Sequence, residues 1–134
     1  MDSRTDKARR NLKDGDGKPL LSLVLPVYNE GGNITAALER IAAQVHQPLM
    51  VILVYDQDDD NTLPAARKAA ETLPFQVIML KNKYGRGALN AIKTGMEYAE
   101  TEFVVVTMAD LSDPPSVINN MIDAAKQQKK TKKK

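Results

Sequence analysis

Three groups of carboxylates stand just past apolar runs: Glu30 after Leu20 to Pro26, Asp56, Asp58, Asp59 and Asp60 after Leu49 to Tyr55, and Asp110 with Asp113 after Phe103 to Met108. Four acids within five residues repel one another unless water, a cation or hydrogen-bond donors compensate them. Aspartates also cap helices, so Asp60 or Asn61 suits the start of one helix and Ser112 or Asp113 the start of another. Asp56 and Asp110 stand immediately at the ends of apolar runs and need cap nothing. They are the stronger candidates for chemistry.

The basic counterpart is Lys81-Asn82-Lys83-Tyr84-Gly85-Arg86-Gly87. Its glycines permit close backbone approach and its cations could meet a diphosphate. The Gly-x-Gly lacks the full dinucleotide spacing, and the chain contains neither a Walker lysine motif nor a Gly-x-Ser-x-Gly elbow. There is no cysteine, which removes disulfides, thiolate catalysis and cysteine zinc sites, and the single His46 cannot form a histidine metal cluster.

The elements that must position these groups follow from periodicity. Leu20 to Pro26, Leu49 to Tyr55, Phe75 to Leu80 and Phe103 to Met108 read as strands, the last as a buried parallel one. Ile34, Leu38, Ile41, Ala42 and Val45 recur at helical spacing behind a potential Asn33 cap. Thr62 to Leu73 reads as a second helix with Pro64 in its first turn, Ala88 to Ala99 as a third, and Pro114-Pro115 opens a fourth that reaches about Lys126. This βαβαβαβ alternation with right-handed crossovers gives a doubly wound parallel α/β sheet, and the expected strand order is 3-2-1-4. In that order a crevice opens between Tyr28-Asn29-Glu30 and Ala109-Asp110-Leu111, with Asp56 beside them.

Composition sets the outer limits. With 134 residues there is room for one domain, expected over 19–126 between a mobile arm at 1–18 and a basic tail at 127–134. The formal net charge of +2 hides an acidic middle: residues 19–125 carry seven basic and thirteen acidic side chains. A nucleic-acid partner is not expected, because the basic residues concentrate at the ends rather than on the folded body. No apolar run approaches the roughly 18 residues of a membrane span. The expected location is cytoplasmic, at most peripheral to a membrane.

The strings LVLPVYNEGGNI, VILVYDQDDDNT, NKYGRGALNAIKTGMEYA and VVVTMADLSDPP, in this order, resemble the donor half of family 2 glycosyltransferases, which have a Rossmann-like GT-A nucleotide-sugar-binding fold. The subgroup they are most similar to is the dolichol-phosphate mannosyltransferases and related polyprenyl-phosphate sugar transferases. The likeness covers about residues 20–125. It implies that Pro26, Tyr28 and Glu30 line the nucleoside, with the tyrosine ring as a stacking face and the glutamate accepting from ribose. It also implies that Val54 and Asp56 sit at the base, the aspartate accepting a hydrogen bond from it, and that Ala109 and Asp110 meet the donor diphosphate. By the same likeness Asp110 and Ser112 hold a divalent metal, Mg²⁺ or Mn²⁺, and Lys83 and Arg86 fall near the sugar or phosphates.

Two departures from the family pattern stand out. Met108 replaces the first aspartate of the Asp-x-Asp position, and a thioether is a poor ligand for oxygen-seeking Mg²⁺ or Mn²⁺. From Lys126 the chain carries KQQKKTKKK where complete members continue into an acceptor half, so a truncated domain is expected. The implied activity is transfer of a sugar from a nucleotide-diphosphate sugar to a polyprenyl or dolichyl phosphate at a membrane surface. The alternative is a non-catalytic nucleotide-sugar-binding domain. A response-regulator-like phosphoacceptor would want an aspartate after strand 3, where Lys81 stands. An exposed sheet edge offers a route to a homo-oligomer.

Overall fold

The computed structural model describes residues 19–110 and 112–132. The arm expected over 1–18, and Leu111 with the end of the tail, lie outside the described residues. Four strands, β1 (Leu21–Pro26), β2 (Leu49–Tyr55), β3 (Gln76–Lys81) and β4 (Phe103–Val106), alternate with four helices, α1 (Ile34–Gln44), α2 (Thr62–Ala70), α3 (Ala88–Tyr98) and α4 (Ser116–Lys132). The sheet order is β3-β2-β1-β4 and every pairing is parallel, as the alternation predicts.

Strand β1 lies in the middle and all six of its residues are buried. Its alternation splits the core in two. Leu21, Leu23 and Leu25 face α1, α2 and α4, joined by Leu38, Ile41, Ala66, Ile118 and Ile122. Val24 faces the other way, with Ile52, Val54 and Ala91, under α3 alone. Helix α3 settles there because Gly95 has no side chain: a Cβ at that position would stand 2.5 Å from Val24 Cγ1 and 3.3 Å from Val54 Cγ2. Thr94 beside it is buried.

Several local expectations need correction. Phe103 to Met108 is not a fully buried strand: β4 stops at Val106 and is half-buried, because it pairs only with β1 and leaves its other edge open. Asn33 occupies the cap position of α1 but makes no capping bond, its side chain donating instead to Glu30 Oε1 at 3.4 Å. Helix α2 ends at Ala70, and 71–73 form a turn before Pro74. Helix α4 starts at Ser116, beyond Ser112 and Asp113, and continues past Lys126 to Lys132. Strong helix formers such as lysine and glutamine prolong a helix that core-burying Ile118 and Ile122 have already nucleated.

Candidate functional site

Parallel strands end together, so the loops after β1, β2, β3 and β4 gather at one edge of the sheet. There Pro26, Val27, Tyr28, Glu30, Val54, Asp56, Gly87, Ala88, Ala91 and Met108 line a cleft of about 260 Å³. Val54 is fully buried in its floor, while the Tyr28 ring is 64% exposed at its mouth. Five of the residues singled out from the sequence thus share one cleft: Pro26, Tyr28, Glu30, Val54 and Asp56.

The loop after β1 is held by the loop after β2. Asn29 takes a left-handed conformation at φ 49°, a region that asparagine tolerates. Its N–H donates to both carboxylate oxygens of Asp60, at 3.0 and 3.1 Å, and the Thr62 N–H donates to Asp60 Oδ1 at 2.7 Å. Buried Asp60 therefore does cap the start of α2, and it also ties that start to Asn29. The Glu30 N–H donates to Thr62 Oγ1 at 2.8 Å, and the Gly31 N–H to Asn61 Oδ1 at 2.8 Å. The loops approach so closely that a Cβ on Gly31 would lie 2.7 Å from the Asn61 carbonyl oxygen.

Asp56 projects from the end of β2 and is held by the loop after β3. Asn82 Nδ2 donates to Asp56 Oδ1 at 3.0 Å, and the Gly87 N–H reaches Asp56 Oδ2 at 3.4 Å. Gly87 sits at φ 115°, which a side chain would strain. Asn82, Thr94 and Asp60 are the residues that the sequence reading missed as site supports. Asn82 is placed by the strand register, which the sequence does not display: Tyr55 pairs with Lys81, so the next residues, Asp56 and Asn82, are neighbours.

The remaining candidates lie outside the cleft lining. Ala109 is buried in the core cluster, and with Asp110 it borders a second depression of about 230 Å³ shared with Asn33, Ala36, Ala37 and Arg40 on α1. The Ser112 N–H donates to Asp110 Oδ1 at 3.1 Å, and both residues are exposed. Met108, 46% exposed, is the one among the described residues of this turn that lines the cleft. Among the described residues no three His, Cys, Asp or Glu side chains gather into a metal cage. The turn carries Asp110 and, three residues on, Asp113; a single carboxylate such as Asp110 fits an oxygen-seeking ion that draws its other ligands from diphosphate and water. Arg86 is exposed, and its carbonyl accepts from Asn90 Nδ2 at 3.3 Å.

Lys83 turns away from the cleft. Its ammonium pairs with Glu97 at 3.0 Å and borders a larger groove of about 680 Å³ with Met50, Leu80 and Tyr98, between α3 and the sheet. The Tyr84 hydroxyl also donates to Glu97, and Lys93 Nζ lies 4.3 Å from the Tyr84 ring centroid. The Tyr84 and Lys83 hydrogen bonds hold the Glu97 carboxyl below its ordinary value of 4.5. The Glu97 hydrogen bond raises both Lys83 and Tyr84. This cluster staples the glycine loop to α3.

Comparisons with known proteins bear on the family and the fold. Residues 22–131 match the family model described as glycosyl transferase family 2. An undecaprenyl-phosphate 4-deoxy-4-formamido-L-arabinose transferase of Aeromonas hydrophila is 37% identical over 113 residues, 81% of this chain and 34% of that protein. Its counterpart in Serratia proteamaculans is 34% identical over 110 residues, 80% of this chain and 34% of its own length. The chain thus spans about one third of the curated relatives it matches. Among solved structures, a mannosyltransferase from Pyrobaculum calidifontis in complex with GDP-Man and Mn²⁺ superposes with a TM-score of 0.61 at 29% identity, over 72% of this chain and 33% of that one. Glucosyl-3-phosphoglycerate synthase from Mycobacterium tuberculosis shares the fold, with a TM-score of 0.52 at 18% identity over 68% of this chain and 33% of that one. With the sheet order, the cleft and the family match in agreement, the chain belongs to glycosyl transferase family 2, with the Rossmann-like GT-A fold.

Proposed function

We infer that this chain is the donor-binding part of a glycosyltransferase that moves a sugar from a nucleoside diphosphate to a polyprenyl phosphate. The observation that supports this most is the cleft, where an exposed aromatic ring and two carboxylates stand together over the ends of β1 and β2. In this reading Tyr28 stacks on the base, Asp56 accepts an N–H from its edge and Glu30 accepts ribose hydroxyls. Gly87 leaves room for the nucleoside because it carries no side chain.

Asp110 and Ser112 would hold a divalent metal beside the diphosphate. Mg²⁺ commonly takes only one or two carboxylates together with substrate phosphates, so Met108 in place of an acid weakens the site without removing it. When bound, the metal offsets the charge that develops on the leaving diphosphate. The acceptor phosphate is already ionised at neutral pH, so attack on the anomeric carbon needs no dedicated base. A polyprenyl acceptor brings the working protein to a membrane surface, and no helix among the described residues is long and apolar enough to cross one.

A second reading is donor binding without turnover by these 134 residues. Incubation with UDP- and GDP-sugars, Mn²⁺ and undecaprenyl phosphate separates the two. A lipid-linked sugar product supports transfer; donor binding with no such product supports the second reading. Absence of nucleotide-sugar binding contradicts both.

A further inference from the structure

Asn82 spends every hydrogen-bonding function of its side chain inside the chain. Its Oδ1 accepts from the Tyr84 N–H at 3.2 Å and from Thr94 Oγ1 at 3.1 Å. Its Nδ2 donates to Asp56 Oδ1 at 3.0 Å and to the Gly87 carbonyl at 3.3 Å. The Tyr84 N–H can only donate, so Oδ1 must face it and Nδ2 must face Asp56. The amide has one orientation.

Thr94 fixes that orientation from the other side. It is buried at 2% exposure on α3, and its oxygen accepts the Lys83 N–H at 3.2 Å, which leaves the hydroxyl proton to point at Asn82. Gly95 lets α3 sit close enough to the sheet for this contact. The backbone of Asn82 is anchored as well, its N–H donating to the Tyr55 carbonyl at 2.8 Å. A directional series of donors therefore runs from Lys83 N–H through Thr94 and Asn82 to the Asp56 carboxylate.

We propose that Asn82, backed by Thr94, is a positioning pair that locks the Asp56 carboxylate as an acceptor aimed into the cleft and so sets which nucleobases the cleft takes. This rests on the donor-binding reading above. With Asn82 Nδ2 on Oδ1 and the Gly87 N–H on Oδ2, the carboxylate plane is set and its remaining lone pairs are presented to a ligand. An acceptor at that place favours base edges that carry a ring N–H, as uracil and guanine do. Facing that ring position it disfavours cytosine, whose ring nitrogen there is an acceptor and whose donor is the exocyclic amine instead.

The test uses the full chain with Mn²⁺, UDP, GDP and CDP as probes, and inorganic pyrophosphate as a control that presents no base. Asn82→Ala is expected to bind pyrophosphate like the parent and to lose about tenfold in affinity for the preferred diphosphate, the scale of one hydrogen bond to a charged group. Its preference over CDP should fall by the same factor. Thr94→Val, which keeps the shape and loses the hydroxyl, should shift the preference in the same direction, and Thr94→Ser should retain it. If Asn82→Ala does not fold, the Thr94 pair decides. An unchanged base preference in the folded variants overturns the proposal, and so does an equal loss of pyrophosphate binding. A parent that binds none of the three diphosphates overturns the donor-binding reading, and this proposal with it.

Discussion

At the scale of single residues, the proposed function assigns one carboxylate, Asp56, to the base and another, Asp110, at a separate place, to the metal. Asp56→Ala should lower nucleotide affinity about 10- to 100-fold, the range of a lost hydrogen bond to a charged group, and the loss should be the same with and without Mn²⁺. A metal-dependent loss measured by titration would place Asp56 in the wrong role. The staple on the glycine loop has its own pH signature. Glu97 is held below its ordinary 4.5, so its contribution is complete above that value and is lost as pH falls through the lowered pKa. Lys83 and Tyr84 are raised, so theirs is complete below their ordinary values of 10.5 and 10.0 and fades as pH rises through the raised ones. Tyr84→Phe should move the Glu97 side-chain titration upward by carboxyl NMR; an unmoved midpoint would contradict the staple. Residue types and strand-end positions made Tyr28, Glu30 and Asp56 legible in the sequence. They did not reveal the turn of Lys83 toward Glu97, because rotamer choice in a loop depends on which partner α3 presents.

At the scale of elements, the closest contact in the fold is α3 on the sheet. Gly95→Ala would gain about 1 kcal/mol of helix propensity but would drive a methyl to 2.5 Å from Val24 Cγ1. Overpacking of this kind costs about 1–3 kcal/mol. The net is a loss of up to about 2 kcal/mol in urea unfolding; a stabilised variant would mean that α3 can lift from Val24 at little cost. Strand and helix identities followed from hydrophobic periodicity, and the sheet order followed from crossover handedness. The ends were harder to read. Met108 and Thr107 look apolar or β-prone, yet β4 stops at Val106 because β1, its only neighbour, ends its ladder with Val24 opposite Val106.

At the scale of the whole molecule, β4 leaves one edge unpaired, and its sequence FVVV carries neither charge nor proline to protect it. Val106 on the α3 face, and Val117 and Met121 on α4, are exposed apolar side chains. Concentration-dependent self-association is expected in light scattering, and Val104→Lys should reduce it; a strictly monomeric parent at high concentration would remove this edge as a contact. The central claim is that the cleft over β1 and β2 is a nucleotide-sugar site completed by a metal at Asp110. The most direct measurement is calorimetric titration of the parent and Asp110→Asn with a panel of UDP- and GDP-sugars, with and without Mn²⁺. At least one donor should bind the parent, Mn²⁺ should tighten it, and Asp110→Asn should abolish the tightening while keeping the metal-free affinity. No binding by any donor, or full metal enhancement in Asp110→Asn, would contradict the claim.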